Sequence, residues 1–131
     1  LPIINENDTI ATAEIKVGDN DTLSAISAVG AHADLLILLS DINGLFTADP
    51  HKYPDATLIS EVSEITEEIS ALAGSAGTAL GTGGMVTKLH AAQICMDAGI
   101  DMLIANGSDP SVLYDIFDGK KIGTRFIGKA K

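Results

Sequence analysis

The sequence predicts an α/β fold in layers around a mostly parallel sheet. Segments typical of strands and of helices alternate along the 131 residues, which is the pattern of such folds. Residues 34–40 form an apolar run without alternation, typical of a central parallel strand that is buried on both faces. The chain shows no internal repeats or low-complexity segments, so these observations predict one layered α/β unit.

Five segments have the apolar or alternating pattern of β-strands. They are residues 1–4, 12–17, 34–40, 101–105 and 124–127. Polar residues 5–8 end the first strand, and a loop over residues 41–50 follows the third. Loops at the carboxyl ends of parallel strands commonly bind ligands, so both loops are candidate sites.

Four segments predict helices. The first helix begins near Asp19 or Asn20. The second spans about residues 64–73, the third spans about residues 86–98, and the fourth begins at Pro110. The first follows a polar turn and has apolar residues at helical spacing, and proline is favourable in the first turn of a helix. Residues 74–84, between the second and third helices, contain too much glycine for a regular element.

Composition limits the classes of function. Eighteen acidic residues against eight basic ones give a net charge of −10, which argues against a nucleic-acid partner bound through a broad basic face. The longest apolar run, residues 35–39, is far shorter than the roughly 20 residues of a membrane span. Cys95 is the only cysteine, which excludes an internal disulfide and fits a cytoplasmic location.

The glycine-rich segment that leads into Thr87 and Lys88 predicts an anion site. Successive glycines let backbone N–H groups close around phosphate oxygens at the start of a helix, and the lysine adds positive charge. Neither known phosphate fingerprint fits, because Thr87 precedes Lys88 and the third glycine of G-x-G-x-x-G would fall on Val86. A surface loop without a ligand is the alternative.

Acidic residues gather at the start of the first helix. Asp19, Asn20 and Asp21 could bind a metal, orient an ammonium group or cap the helix, and capping and function can coexist. The sequence argues against an EF-hand, since Ser24 stands where that loop needs glycine and the distal glutamate is missing. Asp8, after the first strand, is either a ligand residue or an ordinary turn residue. No protein metal ligand is predicted.

The histidines and methionines of the chain are predicted to be structural residues. The histidines at positions 32, 51 and 90 lack metal-ligand spacing and have no nucleophile motif beside them. The methionines at positions 85, 96 and 102 fall on different elements and predict core residues that fill gaps rather than a cofactor site.

Three motifs together resemble the amino acid kinase family. The first joins residues 4–8 to residues 14–25, the second joins Ser40-Asp41 to residues 44–50, and the third is GTGGMVTKL at residues 81–89. The resemblance extends over the whole chain. The first motif is most similar to the members of the family that phosphorylate glutamate.

This resemblance implies a three-layer αβα sandwich and the activity of a glutamate-phosphorylating enzyme. The reaction is ATP-dependent phosphorylation of the γ-carboxylate of L-glutamate to glutamyl 5-phosphate, the first step of proline biosynthesis, with Mg²⁺ held mainly through the ATP phosphates. Residues 1–131 would be the C-terminal, nucleotide-binding half of the kinase domain. The N-terminal half and any C-terminal RNA-modification-type domain would be absent, so the chain alone would be inactive. The intact enzyme would be a homo-oligomer, a dimer or a tetramer.

The resemblance also implies roles for particular residues. Asp8 and Asn20 would bind glutamate, with Asp19 contributing. Lys88 would neutralise charge as the phosphoryl group moves, and Asp21 would organise catalytic lysines. The residues that would contact the nucleotide are Ser40, Asp41, Thr82, Gly83, Gly84, Met85, Val86, Thr87 and Lys88.

Two alternatives stay open at this point. One is another acid-phosphorylating kinase of the same family, such as an aspartate kinase, although residues 5–8 and 18–25 favour glutamate. The other is a non-catalytic nucleotide-binding module, which would bind ATP without turnover.

Overall fold

A computed structural model of the chain describes residues 19–48, 53–72 and 84–129. Its helices are α1 (Asp19–Gly30), α2 (67–72), α3 (Gly84–Asp97) and α4 (Val112–Phe117). Its strands are β1 (Leu35–Ser40), β2 (Glu61–Val62), β3 (Asp101–Asn106) and β4 (Thr124–Phe126). The alternation of strands and helices confirms the predicted α/β class. The predicted strands at residues 1–4 and 12–17 lie outside the described residues.

The described strands form one sheet in the order β1-β3-β4-β2. β1 and β3 are parallel, with Leu35 opposite Asp101 and Ser40 opposite Asn106. β2 and β4 are also parallel, whereas β3 and β4 are antiparallel. Because two of these three pairings are parallel, the predicted mostly parallel sheet is confirmed.

Helices cover both faces of the sheet, as a three-layer sandwich requires. Along β3, Met102 and Ile104 point to the face covered by α1 and α3, and Leu103 and Ala105 point to the face covered by α4. Each of the four is at most 4% exposed. On the α4 face, Ile116 packs against Leu103 and Ala105. The double burial that is typical of a central parallel strand therefore belongs to β3.

Burial on both faces was also the prediction for residues 34–40, and in the described part of the chain β1 shows it only in part: Leu35 and Ile37 pack on one face and Leu36 on the other, all partly buried. Among the described residues β1 lies at the edge of the sheet, with β3 beside it. Leu38 is buried, but Leu39 is 47% exposed.

Other element boundaries differ slightly from the predictions. α4 begins at Val112 instead of Pro110, because a turn comes first in which the carbonyl of Pro110 accepts a hydrogen bond from Leu113 N–H. α2 begins at residue 67 rather than 64, after bends at residues 63 and 64. The two-residue strand β2 was not predicted.

The predicted core roles of the sulfur-containing residues are confirmed. Cys95 is 0% exposed, and this burial raises the pKa of its thiol to about 11. Met85, Met96 and Met102 are buried as well. His32 and His90 are exposed, and His32 adopts a positive φ of 55° just after α1. Among the described helices, none is both long and apolar enough to cross a bilayer.

Candidate functional site

Helices α1 and α3 pack side by side through small residues. The alanines at positions 25 and 28 of α1 and 91 and 92 of α3 are at most 7% exposed. Alanine side chains let two helix backbones approach closely, since the distance between helix axes depends on the side chains at the contact. The packing brings side chains from the beginnings of the two helices together.

A charged cluster forms at this point from Asp21, Thr87 and Lys88. Lys88 Nζ lies 3.2 Å from Asp21 Oδ2, and Thr87 Oγ1 donates a hydrogen bond of 3.1 Å to the same oxygen. The Lys88 and Asp21 side chains are 14% and 17% exposed. The lysine is thus held in place by a carboxylate 67 positions away in the sequence.

The cluster retains the capacity to bind an anion. An ammonium group carries three N–H donors, so Lys88 can contact Asp21 and still donate to a ligand. Its partial exposure leaves it accessible from solvent. A partly desolvated pair is also less screened by salt than a surface pair, so its charges act more strongly on a nearby ligand.

The N-terminus of α3 adds positive potential beside Lys88. α3 begins at Gly84 and has no acidic residue in its first turn. The first N–H groups of a helix have no partner within the helix, and the helix dipole places partial positive charge there. Met85 is buried and anchors this turn, whereas Val86 is 50% exposed. These donors fit the phosphate groups of a nucleotide.

The start of α1 contributes Asn20 next to Asp21. Asn20 is half-buried, and its backbone carbonyl accepts a hydrogen bond of 2.7 Å from Ser24 Oγ. α1 begins at Asp19, as the sequence predicts. The remaining predicted site residues, Asp8, Thr82 and Gly83, lie outside the described residues.

A second polar group lies at the carboxyl end of β1. Ser40 is the last residue of the strand, and its hydroxyl donates to Asp41 Oδ1 at 3.3 Å. The Ser40 carbonyl accepts a hydrogen bond of 2.8 Å from Gly107 N–H, which ties the ends of β1 and β3 together. Asp41 is exposed. Both predicted nucleotide residues therefore lie where parallel strands end, the usual position of ligand sites in α/β sheets.

Sequence reasoning missed two amides at the same edge, Asn43 and Asn106. Asn106 Nδ2 donates a hydrogen bond of 3.0 Å to Asn43 Oδ1, and Asn106 Oδ1 accepts one of 2.9 Å from Ser108 N–H. The signal was available, because Asn106 directly follows the predicted strand 101–105. The rule that marked the loop after residues 34–40 as a candidate site, at the carboxyl end of a parallel strand, applies to Asn106 as well.

Within the described ranges, no three or more His, Cys, Asp and Glu side chains lie close enough to hold a metal ion. The charged cluster contains a single carboxylate, that of Asp21, together with one ammonium and one hydroxyl group.

Comparisons with known proteins show which family the chain resembles in sequence. The model of a family described as the amino acid kinase family matches residues 1–106. The chain is 57% identical over 128 residues to glutamate 5-kinase of Photorhabdus laumondii, covering 98% of this chain and 35% of that protein. It is 58% identical over 127 residues to glutamate 5-kinase of Aliivibrio salmonicida, covering 97% of this chain and 34% of that protein. The chain thus spans about a third of the length of these relatives.

Solved structures are similar in fold. UMP kinase from Ureaplasma parvum matches with a TM-score of 0.58 at 20% identity, over 82% of this chain and 41% of that chain. Carbamate kinase from Giardia lamblia bound to AMP-PNP matches with a TM-score of 0.58 at 26% identity, over 83% of this chain and 35% of that chain. The described architecture is therefore shared with these two solved structures.

Proposed function

The chain belongs to the amino acid kinase family, and from this premise we propose that it is part of an ATP-dependent glutamate 5-kinase. The reaction would transfer the γ-phosphoryl group of ATP to the γ-carboxylate of L-glutamate and form glutamyl 5-phosphate, the first step of proline biosynthesis. The observation that carries the proposal is 57% identity to a glutamate 5-kinase over 98% of this chain. Because the chain spans about a third of that relative, the activity is proposed for the whole protein that contains it.

Lys88 and Asp21 are the proposed catalytic pair. Lys88 would stabilise negative charge on the phosphoryl group during transfer, which in phosphoryl transfer is the main task of the protein together with positioning. Asp21 would hold the ammonium group in place through their contact of 3.2 Å. The hydroxyl of Thr87, hydrogen-bonded to the same carboxylate oxygen, would fix the orientation of Asp21.

The nucleotide would be bound by residues at two places. Gly84, Met85 and Val86, in the first turn of α3, would offer backbone N–H groups to its phosphates, continued by Thr87 and Lys88. Thr82 and Gly83 precede this turn in the sequence and are assigned to the same role. Ser40 and Asp41 would contact the nucleotide from the end of β1. Carbamate kinase from Giardia lamblia, similar in fold, is bound to AMP-PNP, which supports a nucleotide as the ligand.

ATP supplies the phosphoryl group when it is bound, and Mg²⁺ would be held mainly through the ATP phosphates. Magnesium usually keeps several waters and binds substrate phosphates rather than a cage made only of protein ligands. The residues present fit the phosphates of ATP, because Lys88 and the first turn of α3 offer positive charge and donors.

Glutamate would be bound by Asp8 and Asn20, with Asp19 contributing. Asn20 and Asp21 are neighbours in the first turn of α1, so a substrate held by Asn20 would lie near the ammonium group of Lys88. The γ-carboxylate of glutamate is already a competent nucleophile. No strong general base is therefore required, and none is assigned.

We also propose that the whole protein is a cytoplasmic homo-oligomer, a dimer or a tetramer. The single, buried cysteine fits a reducing compartment, and the oligomer is inferred from the family.

Measurement of ADP release by the full-length protein tests the proposed reaction. The purified enzyme is given ATP and Mg²⁺ with L-glutamate, with L-aspartate or with no acceptor, and hydroxylamine traps the acyl phosphate. We expect turnover and hydroxamate formation that depend on glutamate. Turnover with aspartate and none with glutamate would transfer the assignment to an aspartate kinase.

The 131-residue chain alone provides a second test. We expect ATP binding without glutamate-dependent ADP release, because the chain covers about a third of its relatives. ADP release by this chain alone, above that of a Lys88→Met variant prepared in the same way, would contradict this expectation.

A further inference from the structure

Thr124 is a fully buried polar residue where β4 meets the segment that follows β1. It is 0% exposed. Its Oγ1 accepts a hydrogen bond of 2.8 Å from Leu45 N–H and donates one of 2.6 Å to the carbonyl of Ile59. One hydroxyl thus joins two backbone segments that lie 79 and 65 positions away in the sequence.

The segment that Thr124 holds is the β1 loop, residues 41–48. Its distal half is also bonded to residues 57–59, because Ile59 N–H donates to the Leu45 carbonyl at 2.8 Å and Thr47 N–H donates to the Thr57 carbonyl at 2.9 Å. Phe46 and Leu58 form an antiparallel bridge between these bonds. The Thr124 hydroxyl attaches this small ladder to the sheet.

Close backbone approaches leave little room for adjustment at this junction. Gly44 has a φ of 149°, and a Cβ at this position would lie 2.5 Å from Thr124 Oγ1. Gly123 has a φ of 66°, and a Cβ there would lie 1.8 Å from the carbonyl oxygen of Ile104. Such distances are far below van der Waals contact, so both positions require glycine. The loop is thus packed directly onto β4 at Thr124, and the residue before β4 is packed onto β3.

The β1 loop begins with Asp41, which directly follows Ser40 in the sequence. Asp41 lies three residues before Gly44. The hydroxyl that fixes Leu45 therefore restricts the direction in which the loop leaves β1. We propose that Thr124 is a positioning residue for nucleotide binding, acting through the β1 loop on Ser40 and Asp41. The inference rests on the proposed function, which assigns these two residues to ATP. Small misplacements of groups that position a substrate have large effects on affinity and rate. Loss of the two hydrogen bonds of the Thr124 hydroxyl should therefore change nucleotide binding.

Two substitutions separate the hydroxyl from the shape of the side chain. Thr124→Val removes both hydrogen bonds and keeps the volume, whereas Thr124→Ser keeps the hydroxyl. In the full-length protein, we expect the valine variant to raise the KM for ATP and the ATP dissociation constant roughly tenfold, within the usual range for coupled sites. The KM for glutamate should stay unchanged, and the serine variant should retain ATP binding close to that of the unchanged protein.

Ile116→Ala is the matched control for loss of stability. Ile116 is 8% exposed and packs on the α4 face of the sheet, away from the β1 loop. We expect this variant to lose thermal stability and to keep its KM for ATP. If Thr124→Val likewise loses stability alone, with an unchanged KM for ATP, the positioning role is overturned and the proposed function stands. If the unchanged protein fails to bind ATP, the proposed function fails and this inference with it.

Hydrogen exchange in the unchanged protein provides a test that does not depend on whether the valine variant folds. Coupling between two sites is reciprocal, so a nucleotide that is positioned through the β1 loop must also stabilise that loop. We expect saturating ATP to slow exchange of the Leu45 amide, which donates to Thr124. Protection of the first turn of α3 without any change at Leu45 would overturn the proposal.

Discussion

Two polar clusters of this molecule differ in charge, burial and number of partners. The Asp21 and Lys88 cluster is charged, and its ion-paired side chains keep 14% to 17% of their surface exposed. Thr124 is neutral and 0% exposed, with its hydroxyl bonded to two backbone groups. The first cluster retains donors for a ligand, whereas the second uses its hydrogen-bonding groups inside the protein.

This difference follows from the cost of burying a charge compared with the cost of burying a hydrogen-bonded hydroxyl. Charges are expensive to bury completely, and the charged pair that is proposed to meet a ligand stays partly in contact with water. A hydroxyl can be buried at low cost when its bonds are satisfied, and it then fixes the backbone around it. Changes to the first cluster should therefore affect activity more than folding, and changes to the backbone around the second should affect folding first.

The largest effect is expected from Lys88→Met in the full-length protein. The substitution removes the charge that is proposed to stabilise the transferred phosphoryl group, so turnover should fall roughly 10²- to 10³-fold, as for the loss of one charge-stabilising donor. The melting temperature should fall as well, because Asp21, 17% exposed, loses its cationic partner, but the protein should stay folded at the assay temperature. ADP release and thermal unfolding measure the two effects.

Lys120→Met is the matched control for this substitution. Lys120 also forms an ion pair, with Asp115 at 3.1 Å, but its side chain is 63% exposed. Its loss should leave turnover unchanged, since exposed ion pairs contribute little. Equal turnover in the Lys88→Met variant and the unchanged protein would remove Lys88 from the catalytic assignment.

The next effect concerns stability at the Thr124 junction. Gly123→Ala places a Cβ 1.8 Å from the Ile104 carbonyl oxygen at a φ of 66°. Backbone must move to relieve this clash, so the free energy of unfolding should fall by about 3 kcal/mol or more, the combined size of strain and overpacking. Urea denaturation measures the change.

Gly119→Ala separates strain from crowding. Gly119 has a φ of 86°, but a Cβ there would meet nothing within 4 Å. The loss should therefore be limited to about 1–2 kcal/mol of left-handed strain. Equal losses in the two variants would show that crowding against Ile104 does not matter.

A smaller effect is expected from the buried thiol at alkaline pH. Burial raises the pKa of Cys95 from 9.0 to about 11, so the folded state favours the neutral thiol. Its contribution to stability is fully present below pH 9 and is lost as the pH rises toward 11, by roughly 2–3 kcal/mol in total. Urea denaturation of the unchanged protein and of Cys95→Ala across this range isolates the contribution. A constant difference between the two proteins would contradict it.

The smallest effect concerns an exposed carboxylate. Hydrogen bonds, first from Lys129 and then from Gln93, hold the pKa of Asp97 below its ordinary value. Because the pKa is lowered on folding, the stabilisation is present above the unfolded pKa and is lost as the pH falls through the folded one. Lys129→Met should raise the pKa of Asp97 in a carboxyl NMR titration. Asp109, whose pKa is lowered by hydrogen bonds from Ser111, should be unaffected and serves as the control.

Elements with strong local patterns could be predicted from the sequence. The apolar run of β3 and the helical spacing after Asp19 are local signals, and both elements begin within a residue of the prediction. β2 was missed because a two-residue strand has no periodicity, and it exists through pairing with β4, about sixty positions away. Pairing between distant segments leaves no local trace in the sequence.

The parts of the candidate site that are local in the sequence could be predicted, whereas contacts between distant residues could not be predicted from spacing. The prediction of an anion site before Lys88 follows from glycines and a lysine that are neighbours in the sequence. The link from Lys88 to Asp21 spans 67 positions, and it was anticipated from the family resemblance rather than from spacing. Thr124 was predicted only as a strand residue, because its two hydrogen-bond partners lie 79 and 65 positions away and leave no local signal.

A crystal structure of the full-length protein with a non-hydrolysable ATP analogue, Mg²⁺ and glutamate would test the central claim most directly. We expect Lys88 Nζ within hydrogen-bond distance of a γ-phosphate oxygen while it remains paired with Asp21, and the nucleotide in contact with Ser40 or Asp41. A nucleotide bound elsewhere, with the Asp21 and Lys88 pair exposed only to solvent, would contradict the account.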